Sequence, residues 1–218
     1  MSDKICYIVG AGEDVGLYFK LRAGDCVIAA DGGLDCLKRY GIAADLIIGD
    51  FDSVNTKPTQ GKIIALDTDK DYTDTFEAVR QGMARGYDTF HIYCGTGGRF
   101  DHTFANIQVL GYLAREGKRG YLVGTDYVIT AVAEGSIAFD AGCRGYVSVF
   151  SFTDKSAGVC IKGLKYELED QVLSSMSPIG VSNEFVGVES KISVGEGILV
   201  VIFPRECGID HLYHYHQN

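Results

Sequence analysis

Cys26-Val27-Ile28-Ala29-Ala30 runs without a break into Asp31-Gly32-Gly33, and this stretch decides how the first half of the chain is read. A strand apolar on both faces must be covered on both faces, which is the condition of a parallel sheet flanked by helices. The pattern recurs at Ile5–Val9 and at residues 46–48, 63–66, 90–94 and 120–123. Between these runs lie segments with helical spacing: Leu34 and Leu37, then Phe76, Val79 and Met83, and most clearly Phe104, Ile107, Leu110 and Leu113.

From about residue 126 the helical spacing stops. Residues 127–132, 136–139, 146–152, 158–161, 166–168 and 191–203 read as strands, punctuated by Ala141-Gly142, Thr153-Asp154 and Gly195-Glu196-Gly197 as turns. The expected fold class is therefore α/β. A Rossmann-like parallel-sheet domain spans residues 1–125, and an all-β sandwich domain, of sandwich or barrel-like form, follows over 126–218.

Composition narrows the classes. The chain has 218 residues, 46% apolar and 22% charged, in the range of ordinary globular proteins. No apolar run approaches the ~20 residues of a membrane span. Ile5–Val9 is too short for a signal-peptide core and enters Gly10-Ala11-Gly12 as a first strand enters a glycine turn, so a cytoplasmic location and no membrane partner are expected. A net charge of −9 argues against a nucleic-acid partner, which requires basic patches. The seven cysteines contain no Cys-x-x-Cys pair and lie mostly in apolar segments, the pattern of buried reduced thiols rather than of a disulfide framework or zinc site.

The acids carry the functional signal. In an open α/β sheet, ligands bind beyond the carboxyl ends of the strands. Asp31-Gly32-Gly33, Gly49-Asp50-Phe51-Asp52, the series Asp67, Asp69, Asp71 and Asp74, and Gly95-Thr96-Gly97-Gly98-Arg99-Phe100-Asp101-His102 all fall at such ends. So many carboxylates on one sheet edge repel one another without a cation, and hard oxygen donors point to Mg²⁺. Glycines allow backbone N–H groups close to phosphate, and Arg99 offers a two-pronged donor. These are the parts that phosphoryl-type transfer needs.

Each feature also has a plainer reading. Asp74, with Glu77 three residues on, has the pattern of a helix N-cap, and Asp101 likewise precedes a helix. Asp50-x-Asp52 in a loop can aim both carboxylates at one ion, whereas Gly95–Gly98 lacks the lysine of a Walker-type loop. Gly10, Gly12 and Gly16 are mis-spaced for a dinucleotide fingerprint, which sets a NAD-dependent dehydrogenase aside. His102 can meet a nucleotide or satisfy a backbone group in the first helical turn. His211, His214 and His216 read as a frayed terminus rather than a metal site.

Taken in order, these motifs resemble the thiamine pyrophosphokinase family, bacterial type. The resemblance extends from Ala30-Asp31-Gly32-Gly33 through Asp45-Leu46-Ile47-Ile48-Gly49-Asp50-Phe51-Asp52-Ser53, Lys70-Asp71-Tyr72-Thr73-Asp74 and Gly97-Gly98-Arg99-Phe100-Asp101-His102. It continues through Gly163-Leu164-Lys165-Tyr166 to Val181-Ser182-Asn183-Glu184-Phe185. It implies transfer of pyrophosphate from ATP to thiamine with Mg²⁺, by a homodimer with active sites between subunits.

Carried onto this sequence, the resemblance makes Asp50, Asp52 and Asp71 the metal ligands and Asp71, Asp74, Asp101 and Arg99 the catalytic group. Asp71 or Asp74 would be the base. Asp31, Gly32, Gly97, Gly98, Arg99 and His102 would bind the nucleotide, and Ser182 and Asn183 the thiamine. Ala44 and Glu167 stand where relatives often have proline. A pyrophosphokinase for another hydroxymethyl heterocycle, such as a pterin, and a non-catalytic nucleotide or thiamine sensor are the competing readings.

Overall fold

The computed structural model describes residues 4–49, 62–65, 71–209 and 212–216. The fold is mixed α/β, with parallel strands in the first of two compact units and antiparallel strands in the second. The first unit comprises Met1–Val109 and Leu122–Thr125, and the second Leu110–Tyr121 and Asp126–Asn218.

In the first unit, β1 (Ile5–Val9), β2 (Cys26–Ala30), β3 (Leu46–Gly49), β4 (Lys62–Ala65) and β5 (Thr89–Tyr93) pair in the order β5-β1-β2-β3-β4. Every pairing in this run is parallel. The chain steps outward from β1 through β2 and β3 to β4, then returns to the other side of β1 as β5. A topological switch point therefore lies between β1 and β5, and loops diverge there to leave a crevice at the carboxyl ends. Helices α1 (Gly33–Arg39), α2 (Asp74–Ala84) and α3 (Phe100–Arg115) fill the connections, α3 continuing into the second unit. Ile8, Ile28, Ile48, Leu37, Val79, Phe90 and Ile92 are fully buried, as residues on both faces of a covered sheet must be.

β6 (Arg119–Val123) is followed by β7 (Tyr127–Phe139), β8 (Tyr146–Ser151), β9 (Lys155–Lys162), β10 (Leu168–Ser174), β11 (Asn183–Glu184), β12 (Ser190–Pro204) and β13 (Tyr213–His216). β12 organises the second unit. It lies antiparallel to β7 along its length, to β9 through its first half, and to β8 through Leu199–Ile202. Alternate residues of these strands, among them Val128, Ile137, Phe139, Val147, Val149, Ile192, Val194, Leu199, Val201 and Phe203, make one buried cluster. Phe139 meets Phe185 and Phe203 edge-on at 5.2 and 5.1 Å between ring centroids.

Four sequence expectations shift. Residues 127–132 and 136–139 are one strand rather than two. Gly195-Glu196-Gly197 is an irregularity inside β12, where the register with β7 slips between Val194 and Ile198, not a turn. The strand expected at 166–168 begins at Leu168 and runs on to Ser174. Residues 213–216, read as a frayed end, pair with β7, while His211 lies outside the described residues. No helix among the described residues is long and apolar enough to cross a membrane.

Candidate active site

The residues after β2 and β5 are forced into an unusual conformation. Asp31 after β2 and Cys94 after β5 have φ of 50° and 52°, left-handed values that cost a non-glycine residue about 1–3 kcal/mol. Strain of this kind persists only where the surroundings over-determine it, and both residues line the same cavity. The Asp31 N–H donates to the Ile48 carbonyl at 2.8 Å, which holds the turn out of β2 in place.

After β1 the chain is laced to the segment after β5. Gly10 N–H donates to the Tyr93 carbonyl at 2.9 Å, Gly12 N–H to Cys94 at 2.7 Å, and Glu13 N–H to Thr96 at 2.8 Å. A Cβ on Gly12 would lie 2.5 Å from the Thr96 carbonyl oxygen, so only glycine permits this approach. A Cβ on Gly33, at the start of α1, would lie 1.8 Å from the Val9 carbonyl oxygen, which brings α1 hard against the end of β1.

The cavity these turns enclose holds about 710 Å³, within the usual range for small-molecule sites. Gly10, Gly12, Asp31, Cys94, Gly97 and Gly98 form its floor and walls, together with Glu13 and Asn106. Thr73, Asp74 and Thr75 enter from the start of α2, and Arg99 and His102 from the start of α3. Two helix amino ends therefore open on one cavity, and their dipoles favour an anion. Asn106 is buried and donates to the Gly95 carbonyl at 2.7 Å, which fixes the glycine turn on α3.

Asp74 is the first residue of α2 and not its cap. The Thr73 side chain is the cap, accepting the Phe76 N–H at 3.2 Å. Asp101 is likewise inside α3, where its carboxylate accepts from Arg99 Nε at 3.2 Å, Arg99 Nη2 at 2.5 Å and the His102 N–H at 3.0 Å. The Arg99 guanidinium, aided by the His102 N–H, holds the Asp101 carboxyl below the usual carboxylate range, and Asp101 in turn raises Arg99. Both side chains are exposed, so the pair exchanges readily for another partner.

The cavity thus gathers Asp31, Asp74, Gly97, Gly98, Arg99 and His102 of the residues singled out in the sequence. Gly32 and Asp71 do not line it, and Asp101 reaches it through Arg99. Asp50 and Asp52 lie outside the described residues. Gly10, Gly12, Thr73 and Asn106 were not picked out as binding residues; the Gly10-Ala11-Gly12 turn after an apolar run was the available signal for the first two.

Ser182 and Asn183 belong to the second unit. Ser182 is exposed, with a left-handed φ of 57°, and its N–H donates to Ser148 Oγ at 3.1 Å. Asn183 is buried and bonded to the backbone of Tyr166. Lys165 pairs with Glu184 at 2.8 Å and lies 5.8 Å from the Tyr166 ring centroid. Glu167 accepts the Gly163 N–H at 2.7 Å, so this turn is closed by a carboxylate. Tyr146 and Tyr166 are exposed nearby in the same unit.

Residues 20–122 match the family model for the thiamin pyrophosphokinase catalytic domain, and residues 136–199 the model for its vitamin B1 binding domain. A thiamine pyrophosphokinase of Bacillus subtilis (strain 168) is 27% identical over 183 residues, covering 80% of this chain and 85% of that protein. The crystal structure of a thiamin pyrophosphokinase from Geobacillus thermodenitrificans superposes with a TM-score of 0.77 at 27% identity, over 92% of this chain and 97% of that one. A Bacillus subtilis thiamine pyrophosphokinase structure gives a TM-score of 0.82 at 24% identity, over 92% and 98% of the two chains.

Proposed function

The chain belongs to the thiamin pyrophosphokinase family, and from that premise we propose that it transfers the pyrophosphoryl group of ATP to the hydroxyl of thiamine, giving thiamine diphosphate and AMP. One observation carries the reading. The amino ends of α2 and α3, Arg99, and the carboxylates of Asp31 and Asp74 converge on the cavity beyond β1, β2 and β5.

Helix amino ends and a guanidinium suit a polyanion, and a thiazolium cation suits a site rich in carboxylates. Asp31 in the cavity is a hard oxygen donor of the kind Mg²⁺ takes, so the site fits the ion, which Asp50, Asp52 and Asp71 would hold. Bound there, Mg²⁺ supplies charge neutralisation on the phosphates.

The chain's own residues then do the positioning. Gly97 and Gly98 let the backbone approach the phosphates, and His102 meets the nucleotide. Arg99 leaves Asp101 to hold phosphate oxygens in a two-pronged bond. Asp74 or Asp71 accepts the proton of the thiamine hydroxyl. As that oxygen bonds to the β-phosphorus, the bond from β-phosphorus to the oxygen bridging it to the α-phosphate breaks, and AMP departs with the bridging oxygen. Ser182 and Asn183 help to wall in the thiamine. With no tryptophan in the chain, tyrosine or phenylalanine stacks against its rings.

On this reading residues 1–125 are the ATP-binding catalytic domain and 126–218 an all-β sandwich that binds thiamine. The protein acts in the cytoplasm as a homodimer with its active sites between subunits. The test is nucleotide turnover with Mg²⁺, with and without thiamine, for the wild type and Asp74→Asn. Thiamine-dependent AMP, strongly reduced in the variant, supports the assignment. ADP in place of AMP, or turnover driven by a hydroxymethyl pterin instead of thiamine, overturns it. Sedimentation at assay concentration tests the dimer, and a monomer of full activity rules it out.

A further inference from the structure

Three side chains from three separate segments meet beside the cavity. Asp14 stands in the loop after β1, Cys36 on α1, and Cys94 at the end of β5. One carboxylate oxygen and the two sulfurs lie within 4.8 Å of one another, and the sulfurs are 3.5 Å apart. Both cysteines are buried.

The surroundings of the trio are donors. Asp14 Oδ1 accepts the Gly16 N–H at 3.1 Å and the Tyr40 hydroxyl at 2.9 Å, and its Oδ2 accepts Arg39 Nη2 at 3.0 Å. The carboxylate is thus held by three donors on the side open to solvent, and the two sulfurs lie behind it. Outer donors of this kind orient and stabilise anionic ligands around a metal. Two thiolates and a carboxylate carry three negative charges, which Arg39 and one divalent ion together neutralise. Two sulfurs ~2.3 Å from a tetrahedral zinc are roughly 3.8 Å apart, close to the spacing already present.

We propose that Asp14, Cys36 and Cys94 form a binding site for one thiophilic divalent cation of the zinc class. Water completes its coordination, and the ion ties the loop after β1, α1 and the end of β5 together. Sulfur donors select against Mg²⁺, so this site and any Mg²⁺ on the phosphates take different ions. Entry is from the Asp14 side, where Asp14 and Arg39 reach solvent. Cys36 and Cys94 are 58 residues apart in sequence, which is why no Cys-x-x-Cys motif signals the site.

The experiment uses the full chain, reduced and stripped by a chelator, titrated with Co²⁺ alone and then with Zn²⁺. One equivalent of Co²⁺ should bring up a sulfur-to-cobalt charge-transfer band, bleached by Zn²⁺ and indifferent to excess Mg²⁺. Cys36→Ser should lose the band. Asp14→Asn, an exposed change whose fold circular dichroism can verify, should weaken binding by at least about tenfold. His214→Ala with His216→Ala should leave the band unchanged. No band at one equivalent, a band that survives Cys36→Ser, or unaltered affinity in Asp14→Asn each overturns the site. So does conversion of Cys36 and Cys94 to a disulfide, read as the loss of two hydrogens by mass, in place of metal uptake.

Discussion

Asn183 grips Tyr166 by both sides of its backbone: Nδ2 donates to the Tyr166 carbonyl at 2.7 Å while Oδ1 accepts the Tyr166 N–H at 3.0 Å. The same oxygen accepts the Glu184 N–H at 2.9 Å, so most of a buried amide is committed to holding the 163–167 turn against β11. Asn183→Ala leaves these groups without partners and is expected to cost about 1–3 kcal/mol in urea unfolding. If the turn carries thiamine contacts, the variant raises KM for thiamine more than it lowers kcat. Unchanged stability would show the clasp to be dispensable.

Gly33→Ala forces a methyl to within 1.8 Å of the Val9 carbonyl oxygen, a backbone atom that cannot step aside. The expected loss is about 2–4 kcal/mol, with nucleotide binding weakened because α1 is pushed off β1. Gly41→Ala is the control: it has φ of 67° but open space, so only conformational strain of roughly 1–2 kcal/mol remains. Equal losses in the two variants, followed by thermal denaturation, would contradict the steric account.

Thr73→Ala removes the cap of α2 and should cost about 1 kcal/mol, with Thr73→Ser retaining most of it. Because Thr73, Asp74 and Thr75 all face the cavity, fraying the first turn should also lower kcat/KM. A stable Thr73→Ala enzyme with wild-type kinetics would separate the cap from the site.

The Asp101 carboxyl is depressed by Arg99, so its ion pair contributes at neutral pH. The contribution is lost as pH falls below the unfolded carboxylate value of 3.8 and through the lower folded one. Carboxyl carbon NMR should find Asp101 titrating low in the wild type and near the ordinary value in Arg99→Ala. A non-hydrolysable ATP analogue should shift it upward in the wild type by drawing Arg99 away. If the analogue binds and Asp101 does not move, Arg99 does not exchange its partner.

Ser190 Oγ is a buried side-chain polar atom with no hydrogen-bond partner among the described residues. Ser190→Ala should therefore be neutral or stabilising by up to about 1 kcal/mol in urea unfolding. A clear loss would reveal a partner for the hydroxyl.

The parallel strands were legible because a run such as Cys26–Ala30 is apolar whichever face is considered, and no partner need be known to recognise it. The second unit was harder for the opposite reason. Glu134-Gly135 in β7 and Gly195-Glu196-Gly197 in β12 have the composition of turns. They stay within strands because Gly135 is held opposite Val194 and Ala133 opposite Ile198. Only the partner strand distinguishes a bulge from a turn, and that partner is some sixty residues away. β10 was misplaced because it is mostly exposed and shows no apolar alternation. In the cavity, Asp31, Gly97 and Gly98 were readable from their position after the strands alone, whereas Gly32 and Asp71, read the same way, do not line it. Thr73 and Asn106 act through bonds to Phe76 and Gly95 that composition does not announce.

β12 draws hydrogen bonds from β7, β8 and β9 alike, and it ends at Pro204. On a ribosome, the second unit must wait for β12 before its core can close, whereas β1 through β5 are complete by Tyr93. The parallel strands therefore emerge able to assemble early, while the edges of β7, β8 and β9 that β12 covers stay exposed until it arrives. Truncation or stalling before residue 190 would release an aggregation-prone product with an intact first half.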